Sequence, residues 1–427
     1  MKKIINALIF LFFIGLLSIS VSCSSGSSTS TASSTDTGTE TTDDGTWYKF
    51  IPVEYSDSTK SLDLFSIPQK TFEIDKKYYV FASTANPLKS YLFALNEIDG
   101  SYTSKTIDGY YILKIEKTEA NSFVALTLKS SDTLNYTICL IDTDGNIEEK
   151  FTVENEEEYT HLFAYDSNTV YLTTKNSGIY YINAYNLDGT LLWKKTFANE
   201  LDPDLAENDS ITVAYASELG LTLDKNIFCV WGIYKKDNPD ISDYKNYGNS
   251  FFILDKNGNL TWAKADYYAA LSSYQYINFY NYLPLSDGTF LINTAQFGGF
   301  PGIDFGVRHY DSQGDLIDIV AYIDHGENYI YAYNPEDNTI CHSTSRAYTS
   351  STDPNATVSK IYKINIADGS TVWSRDIALD PKYDYRPESA LLCSDKGYLF
   401  TTSCYIEETG QHGVLVLKTD KDGNGTF

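Results

Sequence analysis

The chain has 427 residues, and its 57 Asp and Glu against 32 Lys and Arg leave a formal charge of −25. So acidic a body is repelled by phosphate backbones and anionic lipid, which argues against a nucleic-acid partner and against direct adhesion to a membrane. Tyr (36) and Phe (22) are abundant, Met occurs once, and amphipathic helical periodicity is scarce, a composition that points to strands.

The first residues form an export signal. Lys2 and Lys3 are a positive n-region, Ile4 to Leu17 is a nearly unbroken apolar run, and small residues lead into Cys23. The run is shorter than the about 20 apolar residues a spanning helix needs. Ser20-Val21-Ser22-Cys23 resembles the lipobox of bacterial lipoproteins, in a relaxed form similar to that of spirochaete lipoproteins, with Ser20 where the usual pattern has Leu. The resemblance implies removal of residues 1–22 and a lipid on the Cys23 thiol. Several acyl chains on one residue would give stable anchoring, at the outer membrane or cell surface. Ser-x-Ser also fits ordinary signal-peptidase cleavage after Ser22, and an uncleaved anchor is the third reading.

Residues 24–46 contain only Ser, Thr, Gly, Ala, Asp and Glu. None of these can build a core, so the segment is expected to be a disordered tether, spanning roughly 25 Å root-mean-square. Trp47-Tyr48-Lys49-Phe50 marks the start of a folded body covering 47–427.

Along that body one turn recurs. Asp or Asn precedes a Gly after an apolar strand, and a second strand follows: N-E-I-D-G, D-T-D-G-N, N-L-D-G-T-L-L-W, D-K-N-G-N-L-T-W, D-S-Q-G-D-L, N-I-A-D-G-S-T-V-W and D-K-D-G-N-G-T-F. The glycines are Gly100, Gly145, Gly189, Gly258, Gly314, Gly369 and Gly423, at spacings of 45, 44, 69, 56, 55 and 54 residues. Asp or Asn opens such a turn by accepting backbone N–H bonds, and Gly takes the φ > 0 position that closes the hairpin. The period is that of four-stranded blades around an axis, so the expectation is an all-β chain folded as a single β-propeller of seven blades, with six or eight as alternatives. The 69-residue gap holds a polar insertion, roughly Lys235 to Asn249, read as a loop protruding from blade four. Little chain follows Gly423, so an N-terminal strand near Trp47–Tyr55 or Lys70–Ile74 is expected to complete the last blade.

Four residues after the turn Gly stands Trp193, Trp262, Trp373 or Phe427, an aromatic placed to staple one blade to the next. Ser104, Glu149 and Asp318 hold that position in the other repeats. These turns resemble the blade signature of pyrroloquinoline-quinone-like (PQQ-like) propellers, in which Asp or Asn and Gly are followed by Trp at the same offset. The resemblance extends from about residue 90 to the C-terminus and implies a fold. Quinone-dependent dehydrogenases share the signature, but the vicinal cysteine pair that many of them carry is missing.

No catalytic motif stands out. His161, His309, His325, His342 and His412 are scattered singly, and no metal-ligand spacing, nucleophile elbow or phosphate loop occurs. Asp324-His325-Gly326-Glu327 and the run Glu154–Glu158 read as solvated loops, and D-K-D-G-N-G at 420–425 as turn chemistry rather than a calcium loop. Of Cys139, Cys229, Cys341, Cys393 and Cys404, most lie in apolar runs, and they read as buried free thiols. Tyr267, Tyr268, Tyr274, Tyr276, Tyr280, Tyr282, Tyr329, Tyr331 and Tyr333 are strand packing or an aromatic binding face.

A lipoprotein with a PQQ-like propeller looks like the BamB-type subunits of the outer-membrane β-barrel assembly machinery, although those usually have eight blades and a shorter tether. The resemblance implies a non-enzymatic scaffold without cofactor or metal that binds a protein at the envelope. A surface lipoprotein binding a glycan or host ligand, and an enzyme with an unrecognised site in the central funnel, are the alternatives.

Overall fold

Apolar runs punctuated by Asp-Gly or Asn-Gly turns fold into antiparallel meanders, because each turn reverses the chain within a few residues and the strands pair with their neighbours. The computed structural model describes residues 45–54, 65–66, 70–85, 88–130, 132–154, 162–205, 210–235, 247–267, 276–297, 304–324, 328–344, 359–377, 383–406 and 409–425. Cys23, residues 24–44 of the tether, His161, His325 and Phe427 lie outside them, whereas Thr46, at the end of the expected tether, is buried. Apart from the 3-10 turn Asn199–Leu201, the regular structure among the described residues is strand.

Seven antiparallel sheets form the seven blades of a β-propeller. Blade 2, with strands Tyr110–Lys117, Phe123–Lys129, Asp132–Ile141 and Ile147–Val153, is representative: chain order is also the order from the centre outwards. Blades 3 to 6 follow the same plan and begin with the inner strands Phe163–Asp166, Ile211–Leu221, Tyr276–Pro284 and Asn328–Asn334. In blade 4 the third strand is Tyr247–Leu254, so the polar insertion is shorter than its sequence outline: residues 247–249 already pair with the preceding strand.

Closure involves both candidate N-terminal segments, in different blades. Trp47–Pro52 pairs antiparallel with Gln411–Thr419 as the outermost strand of blade 7, outside Tyr383–Leu392 and Tyr398–Ile406. Phe72–Ile74 instead pairs with Lys77–Ala85 on the inner side of blade 1.

The core is distributed around the ring. Seven clusters of buried apolar side chains each fill one seam between adjacent blades. At the closing seam, Trp47, Ile51, Leu399, Val414 and Val416 of blade 7 meet Tyr78, Val80 and Phe93 of blade 1. Middle strands are buried on both faces, as in Ile227–Lys235, where Phe228, Cys229, Val230 and Trp231 are fully buried. Tyr282, part of the Tyr-rich stretch, stacks on Phe228 of blade 4 with ring centroids 3.9 Å apart, so this tyrosine packs a seam.

Within blades 6 and 7 the first turn carries an aspartate that binds a lysine of the third strand, and in blade 5 the Thr289 hydroxyl links the corresponding Asp287 to His309. Asp337 accepts from Lys363 (2.6 Å) and Asp395 from Lys418 (2.7 Å). Lys418 is 1% exposed, so its ammonium depends on that carboxylate and on the Thr419 carbonyl (3.1 Å) in place of water.

Cys139, Cys229, Cys341, Cys393 and Cys404 are buried and form no disulfide. Burial pushes the Cys139 thiol up to about 11 and that of Cys393 to about 12. A thiol-reactive chromogen at pH 8 is therefore expected to label none of the five in the native protein and all five in denaturant; fast native labelling would contradict their burial.

Candidate functional site

The seven predicted turn glycines all have positive φ, from 64° at Gly100 to 89° at Gly189. Ahead of them, Asp142, Asp255, Asp311 and Asp420 each accept two backbone N–H bonds with one carboxylate oxygen, from the second and fourth residues onwards, at 2.8–2.9 Å. The side-chain amides of Asn146, Asn259 and Asn424 donate to the other oxygen of the first, second and fourth aspartates. Asp420 thus spends its carboxylate closing its own turn. Among the described residues no group of His, Cys, Asp and Glu has the arrangement of a metal site.

Bonds of this kind favour the ionised carboxylate. The backbone N–H and amide of Asn259 hold Asp255 below the usual carboxylate range, and the Ser370 hydroxyl and backbone N–H do so for Asp368. A depressed carboxyl contributes stability above its unfolded pKa, about 3.9, and loses it as pH falls through the lower folded value. The thermal midpoint is therefore expected to hold from pH 7 to about 4 and to fall below that. A midpoint rising on acidification would refute the assignment.

Each turn glycine is also the seat for a residue from the preceding blade. A Cβ on Gly258 would lie 2.8 Å from the Trp193 indole, one on Gly314 2.4 Å from Trp262, and one on Gly423 2.7 Å from Trp373. The Trp193 Nε1–H donates to the Lys256 carbonyl at 2.9 Å. Two residues after each indole a cation reaches the same turn. Lys195 donates to Asn259 (3.0 Å), Lys264 pairs with Asp315, and Arg375 donates to the Asp422 carbonyl (2.9 Å). In the three repeats without an aromatic at that offset the seat is still filled. Lys105 covers Gly145, Phe151 covers Gly189, and the Val320 backbone covers Gly369.

Phe427, the aromatic expected at the last seam, lies outside the described residues, and the seat on Gly100 there is taken by Trp47. Trp47 pairs with Lys418, five residues before Gly423, just as Trp193 and Trp262 pair with Ala184 and Ile253, five before their own glycines. Its ring lies 2.6 Å from a Cβ on Gly100, and its Nε1–H donates to the Glu97 carbonyl at 3.0 Å. The signal was present in sequence: Trp47-x-Lys49 repeats the Trp-x-Lys/Arg of 193–195, 262–264 and 373–375.

The inner strands leave a central channel enclosing about 560 Å³, lined by blades 1 to 5 and 7. It lies towards the C-terminal ends of those strands, on the side of the turn glycines, since Glu218–Leu221 and Lys225 close blade 4's part of it. Charged side chains converge there from different blades: Lys70 from blade 1, Lys114, Glu116 and Lys117 from blade 2, Glu218 and Lys225 from blade 4. Lys70 and Glu116 form an ion pair, and Lys225 lies 3.9 Å from Asp166. Lys114 is surrounded by protein while keeping part of its surface on the channel. Burial, with the neighbouring Lys70 ammonium, pushes its pKa down against the opposing pull of Glu218. Phe72, Leu219, Tyr282, Leu283 and Leu391 form apolar wall between the charges. These residues carry no motif because each blade supplies one or two. The local trace is a charged residue interrupting an apolar inner strand, as in Leu113-Lys114-Ile115-Glu116.

No protein-family model matches the sequence, and no curated protein matches it. Among solved structures, the chain is similar to the WD40 domain of Toxoplasma gondii coronin (10% identity, 89% of this chain and 88% of that one, TM-score 0.43). It is also similar to a quinoprotein alcohol dehydrogenase-like protein from Bacteroides thetaiotaomicron (12% identity, 74% and 66%, TM-score 0.40). A prolyl endopeptidase is matched at 12% identity over 81% of this chain with TM-score 0.37, and the chain spans only 54% of that protein's length. The chain is a seven-bladed β-propeller, closed by its own N-terminal strand.

Proposed function

We propose that this protein is a non-enzymatic scaffold of a bacterial cell envelope, held there by lipid on Cys23, that takes a protein partner on the face opposite its turn glycines. The carrying observation is the unequal treatment of the two faces. On the glycine side every turn between strands has five residues or fewer and contains no aromatic residue. Every longer connection, including 154–162, 196–210, 236–246 and 345–358, joins strand ends on the opposite face. Chain length in excess of what a turn needs, confined to one face of a rigid body, is the usual provision for recognition. The PQQ-like blade signature and the BamB-like combination of anchor and propeller support the same reading.

The test is crosslinking in intact cells followed by affinity purification from membranes at native expression. Reproducible recovery of one protein partner, lost when the 236–246 connection is replaced by a short Gly-Ser turn, is the expected outcome. Recovery of none would count against the scaffold. Membrane retention of a Cys23→Ala variant through a high-salt wash would overturn the anchor.

A further inference from the structure

We propose that the central channel is a binding site for a small zwitterion, a free amino acid or short peptide, whose carboxylate meets Lys114 and whose ammonium meets Glu218. Three observations carry this. The channel encloses about 560 Å³, within the about 300–1,000 Å³ usual for small-molecule sites. Its lining carries charges of both signs on different walls: Lys114 on blade 2 and Glu218 on blade 4 act on one another through space, with the inner strand of blade 3 between their blades. The rest of the lining includes aliphatic and aromatic side chains, Phe72, Leu219 and Tyr282 among them, which suits the uncharged part of such a ligand.

The sign of the whole body selects the class. With a net charge of −25, the protein repels small anions from its vicinity and concentrates cations. A simple anion would enter against that field, and a simple cation would meet the Lys114 ammonium with no negative group to offer it. A zwitterion carries no net charge through the approach and gains both electrostatic contacts inside, where the low dielectric strengthens them.

The experiment is calorimetric titration of the intact protein with glycine, dialanine, trialanine and tetraalanine. N-acetylated and C-amidated trialanine, acetate and inorganic phosphate serve as comparison probes. At least one free zwitterion is expected to bind and to raise the thermal midpoint. Acetylation or amidation should weaken it at least tenfold, and so should Lys114→Met and Glu218→Gln. In the Glu218→Gln protein, free and N-acetylated peptides should bind alike, because the partner of the ammonium has been removed. Absence of binding across the series would overturn the proposal. So would equal binding of free and blocked peptides by the unaltered protein, or acetate or phosphate binding as tightly as the peptides. The blocked-peptide comparison needs no variant, so it decides the matter even where a substitution harms folding.

Discussion

Replacing Trp47 with alanine is expected to destabilise the folded body by about 3–5 kcal/mol, the range for removing a fully buried large aromatic. Trp47 is 0% exposed and lies in the one seam whose two sides come from opposite ends of the sequence. Its loss removes the cover from Gly100, strips the Glu97 carbonyl of its indole donor and opens a cavity where blade 7 meets blade 1. Denaturant unfolding followed by circular dichroism should show a lower midpoint with an unchanged slope. Trp47→Phe keeps a ring in the seat but loses the Nε1–H bond, so it should cost clearly less. Trp193→Ala is the internal comparison, since Trp193 is partly exposed and its two blades are joined by continuous chain. A Trp47→Ala protein within 1 kcal/mol of the parent would show that the seam closes without its staple.

Gly314→Ala should be the more damaging of two glycine substitutions with similar backbone. Gly314 has φ 74° and Gly288 has φ 86°, so an alanine at either is placed in the left-handed region, at about 1–2 kcal/mol. Around Gly288 a Cβ meets nothing within 4 Å, whereas at Gly314 it lies 2.4 Å from the Trp262 ring. The indole is rigid and must move as a whole, adding an overpacking cost of about 1–3 kcal/mol. The difference between the two variants in thermal or denaturant unfolding isolates the staple from the backbone strain. Equal losses would mean that the tryptophan yields freely and is no staple.

These two residues also mark where sequence reading succeeds and where it stops. The turn at 255–259 was legible because everything that makes it is local: Asp255, Gly258 and Asn259 satisfy one another within five positions. Trp193, Trp262 and Trp373 were legible as staples for the same reason, at a fixed distance from their own turns. In blade 2 a register shift between Glu149 and Phe151 moves the seat-filling residue two places along, so inspection of a single offset found a glutamate instead of the phenylalanine. Trp47 escaped as the seventh staple because its turn is at the other end of the chain, and only the shared Trp-x-Lys/Arg pattern links it to the rest. The channel residues were least legible. Lys70, Lys114 and Glu218 are neighbours only because the ring brings successive inner strands to one axis, and the spacing between them in sequence has no chemical meaning.

The pairing of Trp47–Pro52 with Gln411–Thr419 has a consequence for the order in which the protein can be made. Those partners are the first and last strands of the body to leave a ribosome or an export channel. The closing contacts therefore have the largest sequence separation in the fold, and loop closure over nearly the whole body precedes any reward from them. Until then the leading strand has no edge to join, and every earlier blade stands in an unclosed arc whose two terminal seams expose apolar side chains to whatever else is nearby. A chain interrupted before residue 411 never passes this point, so a truncated product is an open arc whose exposed seams a protease can reach, and completion of the last blade covers them.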